Sequence, residues 1–174
     1  MSSTLWHLVA AQLNEHAYMQ GVERTVDRVR ATAEVFTPSE LVVEILSSID
    51  LGLLAPGRTV LDPACGDGQF LVGAKWVKMI HFGMSESLAL ADIYGIDLMR
   101  DNVDLCKRRL GGGTIVMGNT LKPTEQLNGQ TEFEHQTMTR LFTEPRTARP
   151  TKTRVQSSRS KRGVPDIQPA AALL

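Results

Sequence analysis

Apolar residues along the chain switch between helical spacing and short continuous runs, and the switching predicts an α/β fold. Leu5, Leu8, Val9 and Leu13 recur at helical intervals, so residues 4–30 read as one or two amphipathic helices. Glu23, Arg24, Asp27, Arg28 and Arg30 mix both signs on that segment. A solvated face explains them, and a basic face toward nucleic acid is the alternative. Thr37-Pro38-Ser39-Glu40 reads as a helix start, with Thr37 as N-cap, Pro38 at the first helical position and Glu40 closing a capping box. Leu41, Val42, Ile45, Leu46 and Ile49 supply its apolar face. A turn at Pro56-Gly57 precedes a β-prone run at 59–61. Gly66 and Gly68 follow. A helix is then expected over Gln69–Phe82, covered by Phe70, Leu71, Ala74, Val77, Met79 and Ile80 and stopped by Gly83.

The pattern then repeats. A short helix is expected over 85–91 and a second strand over Ile93–Asp97. A helix over 99–110 buries Val103, Leu105, Cys106 and Leu110, and glycines 111–113 end it. A third strand covers Thr114–Met117, and a last helix spans about 133–142, anchored by Met138, Leu141 and Phe142. Alternating strands and helices build a parallel sheet with right-handed crossovers, here three strands in the order 3-2-1.

Composition sharpens this picture only in places. With 174 residues and 42% hydrophobic content the chain can bury one real core. It has no apolar run long enough to span a bilayer and no basic, apolar leader at its start, so a cytoplasmic protein without membrane contact is expected. Two cysteines and four scattered histidines give no disulfide scaffold and no metal-ligand spacing. Net charge is zero but unevenly placed. Residues 1–143 hold 12 Lys and Arg against 17 Asp and Glu, whereas residues 144–174 hold 7 against 2. The last segment is rich in Pro, Ser, Thr and Arg and is expected to be a basic disordered tail able to touch phosphates non-specifically. The expected organisation is an N-terminal helical segment (1–32), an α/β domain (33–143) and that tail (144–174).

The candidate chemistry sits at the carboxyl ends of the strands. Gly66 and Gly68 allow a tight turn and close approach of a ligand, and a helix N-terminus behind them is expected to offer free N–H groups. Asp97, at the end of the second strand, is placed to accept from ribose hydroxyls; a cap of the following helix is the other reading. Lys107, Arg108 and Arg109 fall in the last turn of their helix, where cations favour the dipole.

The string Asp62-Pro63-Ala64-Cys65-Gly66-Asp67-Gly68-Gln69-Phe70-Leu71 resembles motif I of the N6-adenine DNA methyltransferases, whose usual form has small residues where Asp67 and Gln69 stand. Phe36-Thr37-Pro38 resembles motif X of that family, Tyr94-Gly95-Ile96-Asp97 motif II, and Gly118-Asn119-Thr120-Leu121 motif III. The resemblance implies a Rossmann-like, S-adenosylmethionine-dependent methyltransferase fold, here incomplete. It implies a pocket for S-adenosylmethionine formed by Phe36, Thr37, Pro38, Asp62, Pro63, Ala64, Cys65, Gly66, Asp67, Gly68, Phe70, Asp97, Asn119, Thr120 and Leu121. Asn119 stands where the family usually has an acid that accepts from the adenine amino group, and its side-chain carbonyl can accept likewise. The loop does not fit a dinucleotide dehydrogenase, whose G-x-G-x-x-G spacing is missing.

The family's catalytic motif IV, N/D/S-P-P-Y/F/W, has no counterpart. The sequence contains no Pro-Pro pair, and no catalytic residue is assigned. The resemblance therefore implies the cofactor-binding part of an adenine-N6 DNA methyltransferase of a restriction–modification or phage type. DNA is the expected partner, and a second methyltransferase chain would supply motif IV and complete the sheet. The alternative is a truncated, non-catalytic fragment or a regulator that pairs with a methyltransferase.

Overall fold

A computed structural model describes residues 3–15 and 37–143. The remainder of the expected 4–30 helical segment, Phe36 and the basic tail lie outside the described residues. All described residues belong to one compact unit.

Helix α1 (Ser3–Glu15) buries Leu5, Val9 and Leu13 against later helices, while Leu8 stays largely exposed. Helix α2 (Ser39–Ser48) buries Val42 and Leu46. A single 3₁₀ turn (Leu51–Leu54) leads to β1 (Val60–Asp62), with the Asp50 carboxylate accepting from Gly52 N. Helix α3 (Gln69–Phe82) ends at Gly83, which takes the left-handed conformation expected of a helix stop. Then follow α4 (Glu86–Ala91), capped by the Ser85 hydroxyl, and β2 (Ile93–Asp97). The chain closes with α5 (Arg100–Leu110), β3 (Thr114–Met117) and α6 (Glu132–Thr143).

The expected start of α2 needs correction. Pro38, not Thr37, is the N-cap, at φ −59° and ψ 149°, and no side chain caps this helix. The capping box is not formed, since Pro38 keeps an extended backbone and the helix starts one residue later; Ser39 turns inward, its hydroxyl accepting from Gln69 Nε2 at 3.1 Å.

Three parallel strands make one sheet, ordered β1-β2-β3, in the 3-2-1 arrangement expected. Alternation divides the strand residues between two faces. Val60, Ile93, Ile115 and Met117 join the main core with α1, α2, α3 and α5. Leu61, Ile96 and Val116 point the other way, toward Met138 and Leu141 of α6. Gly95 explains how closely α3 lies on the first face. A Cβ there would stand 2.7 Å from Leu71 Cδ1 and 2.9 Å from Ile115 Cδ1. Phe142, expected as an anchor of α6, is instead substantially exposed.

The two crossovers β1–β2 and β2–β3 thus use the first face, and α6 moves to the second. Right-handed crossovers make such a change of face the point at which strand order reverses. That point is β1, whose outer edge has no partner strand among the described residues.

Four buried charges hold the frame. Lys78, fully buried, gives hydrogen bonds to the Arg58 carbonyl at 2.9 Å and the Asp92 carboxylate at 3.2 Å. Lys75 bonds Glu86 and the Leu110 carbonyl, each at 3.1 Å. Glu134 pins α6 to α5 through a two-pronged pair with Arg100.

Candidate functional site

At the carboxyl end of β1 the chain turns through Pro63, Ala64, Cys65, Gly66 and Asp67 before Gly68 opens α3. Thr37, Asp62, Ala64, Cys65, Gly66, Asp67, Gln69 and Phe70 line a cavity of about 150 Å³ there. That is about half the low end of volumes enclosed by small-molecule sites, so it accommodates part of a ligand rather than the whole. Its place is the switch point of the sheet, where ligands of open α/β folds bind.

The loop is held by its own hydrogen bonds. Ala64 N donates to Asp62 Oδ1 at 3.1 Å, Cys65 N to the Ile96 carbonyl at 2.8 Å, Gly66 N to Asp97 Oδ2 at 3.0 Å and Gly68 N to the Cys65 carbonyl at 2.7 Å. Four N–H groups of the loop itself, those of Ala64, Cys65, Gly66 and Gly68, are therefore used within the fold. A loop with these N–H groups spent and the Asp62 and Asp97 carboxylates beside it suits a ligand that donates hydrogen bonds.

Asp62 and Asp97 end β1 and β2 side by side. Burial raises the Asp62 carboxyl above its ordinary range, the Ala64 N–H opposes this, and the nearby Asp97 charge adds to the rise. Asp97 Oδ1 accepts from Met99 N at 2.8 Å and from Asn102 Nδ2 at 3.2 Å. Both readings of Asp97 therefore bear on one group. Its Oδ1 caps the entry to α5 with both acceptor sites used, while Oδ2 accepts only from Gly66 N among the described residues and retains acceptor capacity.

Cys65 is buried, and its thiol is pushed far above its ordinary range by a hydrogen bond with the Cys106 side chain, then by burial. A thiol held protonated in this way is no nucleophile. It packs the loop onto the sheet, 3.1 Å from the position a Cβ on Gly95 would take.

Gly68 has φ +89°, and a Cβ there would fall 2.5 Å from Cys106 Sγ. Both its conformation and its close approach require glycine, and the approach is to α5.

The other predicted positions divide. Thr37 lines the cavity, whereas Pro38 is in the turn before α2 and Phe36 lies outside the described residues. After β3, Gly118 N donates to the Asp97 carbonyl at 2.9 Å, which brings the third loop alongside the second. Thr120 Oγ1 donates to the Pro63 carbonyl at 2.6 Å, closing the third loop onto the first. Asn119 Oδ1 accepts from Leu121 N at 3.1 Å, so its carbonyl is turned to its own loop. Leu121 is 93% exposed, a large apolar side chain in the third loop.

Two residues escaped the sequence reading. Gln69 lines the cavity and joins α2 to the loop through Ser39. Arg109, read as a dipole partner in the last turn of α5, reaches back to Asp67 and Gln69. No local signal marks either one. The only hint was that Asp67 and Gln69 are larger than the usual residues of a loop of this form.

A family model described as N-6 DNA Methylase matches residues 18–125. No curated protein and no solved structure matches the chain.

Proposed function

The chain belongs to the N-6 DNA methylase family, and from that membership we propose that its cleft binds S-adenosylmethionine as the cofactor-binding part of an adenine-N6 DNA methyltransferase. The cofactor supplies the activated methyl group. The observation that carries the reading is the self-satisfied loop between two carboxylates: the N–H groups of Ala64, Cys65, Gly66 and Gly68 are spent on Asp62, Asp97 and main-chain carbonyls. Such a site repels phosphate and favours hydroxyl and amino donors, which S-adenosylmethionine presents from its ribose and its amino-acid end.

In this reading Asp97 accepts from ribose hydroxyls and Thr37, Ala64 and Phe70 line the wall. Asn119, Thr120 and Leu121 border the adenine, which needs Asn119 to give up its bond to Leu121 N. Chemistry on a flipped adenine requires a polar acceptor for its amino group and an aromatic to stack on it. No N/D/S-P-P-Y/F/W string in the sequence supplies them. Methyl transfer to DNA is therefore proposed to need a second methyltransferase chain, working with this one in the cytoplasm. The outer edge of β1, unpaired among the described residues, supports that requirement, because an open parallel edge next to the cleft favours a further strand.

Isothermal titration of the purified chain with S-adenosylmethionine and S-adenosylhomocysteine tests the cofactor reading. Saturable heat is expected, and heats of dilution alone at millimolar ligand would refute it. The same edge also favours a second reading, a non-catalytic regulator that pairs with a methyltransferase. Methylation of unmodified DNA separates the two. Activity that appears only when a chain bearing N-P-P-Y is added supports the split enzyme, and inhibition of a complete methyltransferase supports the regulator.

A further inference from the structure

Asn102, Cys106 and Arg109 follow one another on α5 at four- and three-residue spacing and share one face of the helix. Each reaches a different part of the cleft. Asn102 Nδ2 bonds Asp97, Cys106 Sγ fills the space that Gly68 leaves by lacking a Cβ, and Arg109 extends to the turn between them. The Arg109 side chain is 8% exposed and that of Asp67 is 3% exposed. One guanidinium nitrogen, Nη1, donates to both the Asp67 carboxylate and the Asp67 carbonyl, the latter at 3.0 Å, and Nη2 donates to Gln69 Oε1. Gln69 passes the connection on to Ser39 at the start of α2. Asp67 and Gln69, the two residues that depart from the usual small ones of such a loop, thus have one and the same partner.

We propose that Arg109 is a positioning residue that fixes the cofactor loop in its binding conformation, by clamping Asp67 and Gln69 and through Gln69 aligning the Thr37-Pro38-Ser39 segment with the cleft. It touches no ligand. A planar fork suits the task, since it holds two acceptors at a set separation where a lysine ammonium would satisfy them less rigidly. The chain here replaces a loop that is small and tight by itself with one that is larger and braced from a neighbouring helix. The inference rests on the cofactor reading above for its effect on affinity, but its effect on the loop is independent of any ligand.

The experiment uses the full chain in four forms: unaltered, R109K, R109M and R108M. Arg108 is exposed in the same helical turn and controls for loss of one positive charge near the dipole. Amide hydrogen exchange of the ligand-free chain is read first. Faster exchange at Gly66 and Gly68 is expected in R109K and R109M, with the strands unchanged, and none in R108M. Titration with S-adenosylhomocysteine follows. If the unbraced loop holds the binding conformation about a tenth of the time, apparent affinity falls about tenfold in R109M, with R109K between it and the unaltered chain. Should R109M fail to fold, D67S/R109M removes the buried carboxylate together with its partner and is read in its place. Loop exchange and affinity in R109K that both stay within about twofold of the unaltered chain would overturn the proposal. So would equal losses in R108M. Absence of any binding by the unaltered chain instead removes the cofactor reading and leaves the exchange result to decide the brace.

Discussion

Glu134→Gln tests the electrostatic frame behind the site. The Glu134 carboxylate is 3% exposed and accepts from Arg100 Nη1 at 2.7 Å and Nη2 at 2.6 Å. It also accepts from the Thr131 N–H and hydroxyl, each at 3.0 Å, and from Met117 N at 3.3 Å. Burial alone would raise its pKa. The Arg100 fork and the Thr131 and Met117 donors outweigh burial and bring the pKa from 4.5 down to about 2. At about 1.4 kcal/mol per tenfold change in proton affinity, that difference corresponds to about 3 kcal/mol of folded-state stability. The folded pKa lies below the unfolded one. The contribution is therefore fully present above pH 4.5 and is lost as pH falls toward 2. An amide keeps one acceptor but presents N–H to donors, so Glu134→Gln removes the charge and leaves Arg100 without its partner. Urea unfolding at pH 6 should show a loss of about 3 kcal/mol, or on the order of 10 °C in Tm. The gap between the two proteins should then shrink steadily below pH 4.5. A gap of the same size at pH 6 and pH 2.5 would show that the carboxylate charge is not its source.

Lys78→Met should cost about 3–5 kcal/mol in a urea titration, because it leaves the buried Asp92 carboxylate without its ammonium partner; a loss under about 1 kcal/mol would mean that Gly57 N suffices for Asp92. Gly95→Ala places a methyl group 2.7 Å from Leu71 Cδ1 and 3.1 Å from Cys65 Sγ, and should destabilise the fold by about 1–3 kcal/mol. It should also weaken S-adenosylhomocysteine binding through Cys65, and unchanged affinity in titration would separate strand packing from loop position.

Much of the architecture was legible along the chain. The bounds of α3 and β2 were readable because Gly68, Gly83 and the apolar run at Ile93 punctuate them locally. The three glycine-bounded or acid-ended loops after β1, β2 and β3 were readable as neighbours because parallel strands bring all their carboxyl ends to the same edge. The start of α2 falls one residue later than expected because Pro38 keeps an extended ψ of 149°, outside the helix. The Arg109 partner of Asp67 was not readable because it stands 42 residues away.

Sequence by itself determined which segments are helices and strands, their order, and the identity of the loop at the centre. Those properties depend on neighbours two to four residues apart, and such periods are written in the chain. Only the tertiary structure decided which charges go inside. Lys75, Lys78, Glu134 and Arg109 all look like surface residues in sequence, since nothing near them reveals a partner. Burying a charge is favourable only where folding brings an opposite charge or a set of hydrogen-bonding atoms to it, and those atoms come from distant segments. That is why the loop could be recognised from its residues, while the arginine that braces it could be found only in the fold.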